Sequence, residues 1–197
     1  MLVNGFEWPN DDVHCRQVVF DRTRDMERAL GHCDKLDIAV QAGGNAGVWP
    51  SWLADHFNTV YTFEPDAENF RCLSVNCPDN VIKFQSALGF SRKCVDLHRE
   101  PRNCGAYYVN GPGPIPILRI DDLELPSCDL IVLDIEGMEA DAFQGAILTI
   151  KAFHPVLMYE DKGLSQKYGV QQGAIELRMK EFGYKVVDRI KRDVILA

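Results

Sequence analysis

Val40-Gln41-Ala42-Gly43-Gly44-Asn45-Ala46-Gly47 joins the end of an apolar run to the start of a helical pattern, and this junction decides the fold. Leu36 to Ala42 is apolar enough to form a strand buried on both faces, as in a parallel sheet. Val48 to Phe57 follows as a helix, with Pro50 tolerated in its first turn. Two later runs end in acids: Tyr61-Thr62-Phe63-Glu64-Pro65, and Leu130-Ile131-Val132-Leu133-Asp134-Ile135-Glu136-Gly137. Ligands of open parallel sheets bind beyond the carboxyl ends of the strands. A glycine-rich turn opening a helix, with an acid ending the next strand, suits a ligand that carries an adenosine ribose. The glycines admit close approach of backbone and ligand, and the carboxylate accepts hydrogen bonds from ribose hydroxyls.

Outward from these stretches, strand and helix alternate. Strands are expected at Thr59–Phe63, Val81–Gln85, Asp129–Asp134 and Pro155–Tyr159, and helices at Asp66–Val75, Glu139–Ile150 and Gln171–Phe182. Gly183 fits the left-handed residue that ends the last helix. Tyr184–Ile190 and Val194–Leu196 make a closing hairpin around Lys191-Arg192. The pattern specifies an α/β fold, a doubly wound, Rossmann-like, mostly parallel sheet of about seven strands with a C-terminal antiparallel hairpin and helices on both faces. Residues 90–118, rich in Gly and Pro, read as short strands and a loop near the site. Residues 1–35 read as an N-terminal extension with a helix from about Arg24 to Cys33, capped by Asp21 or Thr23, and residues 36–197 as one domain.

The 197 residues carry a net charge of −8. That balance argues against a broad basic footprint for nucleic acid or an anionic membrane surface, so neither is an expected partner. The arginines at 16, 22, 24 and 28 and the basic residues at 185, 189, 191 and 192 read as solvated faces. No charged stretch followed by an apolar core resembles a signal peptide, and no run is long enough to span a membrane. Seven scattered cysteines without a Cys-x-x-Cys pair fit reduced, mostly buried thiols in a cytoplasmic protein. The five histidines show no ligand spacing, so no metal site is expected.

The dinucleotide fingerprint Gly-x-Gly-x-x-Gly fails here. Counting from Gly43, its second glycine falls at Asn45 and its third at Val48. A nicotinamide oxidoreductase is disfavoured on that ground, and the turn leans towards a ligand without phosphates. Asp134 and Glu136 stand at the mouth of a buried strand, where acids are costly unless paired, hydrogen-bonded or used.

From about Leu36 to the C-terminus the chain resembles the FkbM methyltransferases, a branch of the class I enzymes that use S-adenosylmethionine. Gly43, Asn45 and Gly47 stand in register with that family's Asp-x-Gly-Ala-Asn-x-Gly element, and Phe63-Glu64-Pro65 with its Phe-Glu-Pro element. Asp134-Ile135-Glu136-Gly137-Met138-Glu139 is similar to its Asp-Val-Glu-Gly-x-Glu element, and Phe143-Gln144-Gly145-Ala146 follows. The resemblance implies S-adenosylmethionine as cofactor. It places the turn Gln41, Ala42, Gly43, Gly44, Asn45 and Gly47 around the methionine part, Glu64 with Pro65 at the ribose, Ser86 and Ala87 near the adenine, and Asp134 where donor and acceptor meet. Two departures stand out. Gln41 replaces the family's acid, which should weaken a contact to the cofactor ammonium, because charge-assisted bonds are the stronger kind. Val132 replaces a lysine often found there.

The reaction implied is methylation of a hydroxyl on a sugar, glycan or small metabolite, with Asp134 as the first candidate base and Glu136 the second. Tyr107 and Tyr108 are candidates for lining the acceptor pocket. Two rivals remain at this point. One is a protein that binds the cofactor or a partner without turnover, motivated by Gln41 and by the compact N-terminal region. The other is a metal-assisted methyltransferase with Asp134 and Glu136 as oxygen ligands.

Overall fold

Five-residue stretches that are buried end to end form the centre of the molecule. The computed structural model describes all residues, 1–197. Its main sheet has seven strands: β1 (Ile38–Ala42), β2 (Thr59–Phe63), β3 (Val81–Phe84), β4 (Leu130–Leu133), β5 (Val156–Glu160), β6 (Val186–Ile190) and β7 (Asp193–Leu196). Their spatial order is β6-β7-β5-β4-β1-β2-β3. The first five pair in parallel, and β7 runs antiparallel between β5 and β6. The strand order reverses between β1 and β4, so their carboxyl ends flank the crevice that such sheets offer to ligands.

Strand alternation divides the core into two layers. Ala39, Val60, Leu130, Val132, Val156 and Met158 face one layer, with helices α1 (Thr23–Leu30), α2 (Val48–Ala54) and α3 (Ala67–Asn76) supplying Met26, Leu53 and Leu73. Val40, Ala42, Phe63, Ile131, Leu133 and Leu157 face the other. There α4 (Glu139–Gln144), α5 (Ile147–Phe153) and α6 (Ala174–Lys180) supply Phe143, Ile150 and Met179. Both faces being covered is why these strands read as unbroken apolar runs. A smaller sheet gathers Ala87–Leu88, Cys94–His98, Tyr108–Pro112 and Ile115–Leu118, the Gly/Pro-rich region expected to hold short strands.

Two expectations are corrected. The helix read as Glu139–Ile150 is two helices, broken at Gly145-Ala146, where a side chain on Gly145 would meet the Gly89 carbonyl at 2.4 Å. Helix α1 has no side-chain cap from either Asp21 or Thr23. The Thr23 hydroxyl instead donates to the Phe20 carbonyl at 3.1 Å. Residues 1–35 also pack into the main core: Trp8, Met26 and Ala29 are fully buried with Ala39 and Val60. Asp66 caps α3, its Oδ1 accepting from the amides of Glu68 and Asn69 at 3.0 and 3.2 Å. No helix is long and apolar enough to cross a membrane.

Candidate functional site

The glycine turn is shaped by two close approaches. Gly43 has φ +84°, and a Cβ there would lie 2.0 Å from the backbone oxygen of Asp134. A Cβ on Gly44 would lie 2.3 Å from Leu73 Cδ1. Only glycine lets the turn press against both the end of β4 and α3. The amides of Gly43 and Gly44 donate to the Phe63 carbonyl at 3.1 and 3.0 Å, tying the turn to the end of β2.

Glu64, one residue beyond β2, completes the bracing. Its two carboxylate oxygens accept from the backbone amides of Asn45 at 2.7 Å and Asp66 at 2.8 Å. Burial pushes its carboxyl up to about 7, opposed by those backbone hydrogen bonds. The Asn69 side chain also bears on the carboxylate, which with about four lone-pair sites keeps room for a further donor.

A cavity of about 390 Å³ opens between the turn and the ends of β1, β2 and β4. That is the size range of a small-molecule or cofactor site. Ala42, Gly43, Gly44, Asn45, Glu64, Pro65, Ser86, Ala87, Asp134 and Glu136 all line it, and Gln41 and Gly47 do not. Gln41 is fully buried beneath the turn. Its Nε2 donates to the carbonyls of Ala42 and Gly43 at 3.1 and 3.0 Å, and its Oε1 accepts from the Thr62 hydroxyl at 2.6 Å. The neutral amide therefore holds the turn from below and removes no charge from the cavity wall. Tyr107 lines the cavity, but Tyr108 does not. The Tyr108 ring stacks on His98 at 4.8 Å and carries the Lys167 ammonium at 3.9 Å on a face.

At one end of the cavity sits a charge cluster that the sequence reading did not assemble. Arg22 reaches Asp134 at 3.6 Å, Glu160 at 3.0 Å and Asp193 at 3.1 Å. Lys162 pairs with Glu136 at 2.7 Å, contacts Glu160, and stands 3.7 Å from Asp134. Arg22 is thus not part of a solvated face. The carboxylates of Asp134, Glu136 and Glu160 converge closely enough to hold a cation, and the Lys162 ammonium reaches all three. Burial raises the Asp134 carboxyl well above its usual range. Lys162 opposes the shift, and the neighbouring Glu160 carboxylate reinforces it. Glu160 shifts the other way, lowered by its hydrogen bond to Asp134 and by Lys162 and Arg22, which together outweigh burial.

The remaining walls come from segments with no motif. Cys15, Val18, Val19 and Arg22 come from the N-terminal region, Trp49 from α2, and Asn103 to Tyr107 from the loop before the Tyr108 strand. Lys162 had a usable signal. It follows the acid Glu160 at the end of an apolar run, the same arrangement that marks Glu64 and Asp134. Arg22 had none, because only the path of the chain brings it across β5 and β7.

Comparison with known proteins bears on the fold and the family. No curated protein sequence matches the chain significantly. Among solved structures, the chain is similar to the methyltransferase FkbM from Methylobacillus flagellatus KT, with TM-score 0.58 and 19% identity, over 81% of this chain and 42% of that one. It therefore spans less than half the length of that relative. The ribosomal protein L11 methylase from Lactobacillus delbrueckii subsp. bulgaricus gives TM-score 0.57 at 12% identity, over 96% of this chain and 82% of the other. The N-methyltransferase NodS from Bradyrhizobium japonicum WM9 gives 0.53 at 15%, over 91% and 95%. At these identities the structures speak for the fold. The methyltransferase FkbM domain model matches residues 41–186, from the glycine turn to the closing hairpin, and the chain belongs to the FkbM methyltransferase family.

Proposed function

We propose that this chain is an S-adenosylmethionine-dependent methyltransferase that methylates a hydroxyl of a sugar, glycan or small metabolite. The observation that carries the reading is that the glycine turn, Glu64, Ser86 and Asp134, from four separate strand ends, line one cavity. The donor set suits the cofactor. Ser86 Oγ is buried at the cavity wall without a hydrogen-bond partner, which leaves a free polar atom for a nucleobase edge. Glu64 retains acceptor capacity for a ribose hydroxyl, and the bare backbone of Gly43 and Gly44 admits close approach.

When bound, S-adenosylmethionine supplies an electrophilic methyl group on a sulfonium. The protein's part is alignment and removal of water, and orientation is worth ~7–11 kcal/mol in such reactions. Asp134 is the group to take the acceptor's proton, and its upward shift brings a carboxylate closer to the working range of a general base. Lys162 and Arg22 hold the neighbouring acids in place and keep Glu160 ionised beside it. Glu136, tied to Lys162 at 2.7 Å, serves as orienter ahead of base. Tyr107 and Trp49 offer aromatic faces to the acceptor.

The test is calorimetric titration with S-adenosylmethionine, S-adenosylhomocysteine and NAD, followed by a methyl-transfer screen over sugar and metabolite hydroxyls. Binding of the two sulfur nucleotides alone is expected. Asp134→Asn should keep that binding and lose turnover on any acceptor found. Binding of NAD in their place would overturn the reading.

A further inference from the structure

Two of the seven cysteines meet in the cavity wall, and none of the other five lines it. Cys15 lies in the first 3-10 turn of the N-terminal region and Cys104 in the turn Cys104–Ala106. They are held together at both ends. A single carboxylate oxygen, Asp12 Oδ1, accepts from the backbone amide of Cys15 at 3.2 Å and from that of Cys104 at 3.1 Å. The two main chains therefore pass within two hydrogen-bond lengths of one another. At the other end both sulfurs touch one side-chain amide: Asn45 Nδ2 lies 3.6 Å from Cys15 Sγ, and Cys104 Sγ donates to Asn45 Oδ1 at 3.5 Å. Gly105 leaves room for this approach, since a Cβ there would stand 2.7 Å from Cys15 Sγ. A disulfide needs Cα atoms about 4.4–6.8 Å apart with their Cβ vectors converging, which this pinning favours.

We propose that Cys15 and Cys104 are an oxidisable dithiol in the cavity wall, converted to a disulfide by a peroxide or a small disulfide. Small oxidants reach the sulfurs through the cavity without unfolding. With peroxide, one sulfur attacks an O–O oxygen and becomes a sulfenic acid, releasing water. The second sulfur then displaces the hydroxyl, which leaves as water with the second thiol's proton. Two thiols lose two protons and two electrons, and one peroxide becomes two waters. The neighbouring Cys15 sulfur and burial both push the Cys104 thiol up, which makes Cys104 the partner that keeps its proton until the second step. The other cysteines are differently placed. Cys33 and Cys128 turn their sulfurs to backbone carbonyls, Cys77 does the same, Cys72 accepts from the Arg71 guanidinium at its sulfur, and Cys94 is exposed with no cysteine partner. Oxidation would tie the N-terminal segment, which carries Val18, Val19 and Arg22, to the loop that carries Tyr107. Two independent walls of the cavity would become one covalent piece.

The experiment treats the native chain with diamide, alkylates the remaining thiols, and maps linked peptides by mass spectrometry. The expected result is one peptide pair joined through Cys15 and Cys104, with the free-thiol count falling by two. The thermal midpoint should rise, and dithiothreitol should restore it. Cys104→Ser keeps a hydroxyl for the bond to Asn45 and should abolish both the linked pair and the midpoint shift, as should Cys15→Ser. Seven free thiols after native oxidation, or a link that joins other cysteines, would overturn the proposal. No cofactor enters these measurements, so their outcome is independent of the methyl-transfer test.

Discussion

Gly43→Ala puts the close approach of β1 and β4 under direct test. The residue sits at φ +84°, where an L side chain costs ~1–2 kcal/mol. The new Cβ lands 2.0 Å from the Asp134 backbone oxygen, and real Cβ atoms stay beyond 3.0 Å. The two strand ends must therefore part by about 1 Å, an overpacking strain of ~1–3 kcal/mol. The Asp134 amide donates to the Ala42 carbonyl at 3.1 Å across that same gap, and losing the bond adds ~1 kcal/mol. The expected loss is ~3–6 kcal/mol, a large share of the ~5–15 kcal/mol that holds a domain folded. Gly169→Ala is the control, because it has φ +77° and nothing within 4 Å of the added atom, so only the backbone cost of ~1–2 kcal/mol applies. Urea titrations followed by tryptophan fluorescence report both variants, with Trp8 and Trp49 buried in the affected layer. Equal losses at the two glycines would refute the reasoning, since they would show that the carbonyl of Asp134 does not bear on position 43.

The other expectations concern charge. Burial pushes the Glu139 carboxyl up to about 7, against its own amide bonds from Gly137 and Ile135. A carboxyl raised in the fold stabilises fully below the unfolded value near 4.5 and loses that contribution as pH rises through about 7. Glu139→Gln keeps the accepting Oε1 and should flatten the decline between pH 4.5 and 7 by up to ~1.4 kcal/mol per unit, read from urea midpoints across that window. Lys162→Met leaves Glu136 and Glu160 without their ammonium and should cost ~3–5 kcal/mol at pH 8, with a smaller deficit at pH 5 where carboxyls protonate. Asp12→Ala strips acceptors from Trp8 Nε1 and from the amides of Cys15, Arg16 and Cys104. It should cost ~2–4 kcal/mol and speed proteolysis within residues 1–22, measured against a cut in the main domain.

How far the molecule was legible in its sequence follows the range of the forces involved. The sheet was readable because strands buried on both faces leave continuous apolar runs, as at Leu130–Leu133 and Val156–Tyr159. The turn was readable because Gly43 and Asn45 adopt left-handed backbone, which few residues tolerate. The break between α4 and α5 was not, because the groups that meet it are distant in sequence. The Asp121 amide donates to the Gly145 carbonyl and its carboxylate accepts from the amides of Leu148 and Thr149, while Gly89 lies against Gly145. The charge cluster was half readable. Asp134 and Glu136 announce themselves at a strand end, but their partners Arg22 and Lys162 arrive from either side of the domain. A surface-like arginine cluster before the first motif has no local feature that separates the half-buried Arg22 from its solvated neighbours.

Gln41 shows why residue type alone misleads at such a site. An amide in place of an acid reads as a lost contact only if the side chain faces the ligand. Position 41 lies inside a strand buried throughout its length, between Val40 and Ala42, which both pack against the opposite helix layer. Its side chain must therefore enter the layer below the turn and find its partners within the protein. The partners there are two carbonyl oxygens and one hydroxyl: Ala42, Gly43 and Thr62. An amide donates to the first two and accepts from the third. A carboxylate has no proton for either carbonyl and would bury a charge against them, the costlier arrangement. The substitution is thus matched to the turn it supports, and Gln41 no longer argues for a binding-only protein.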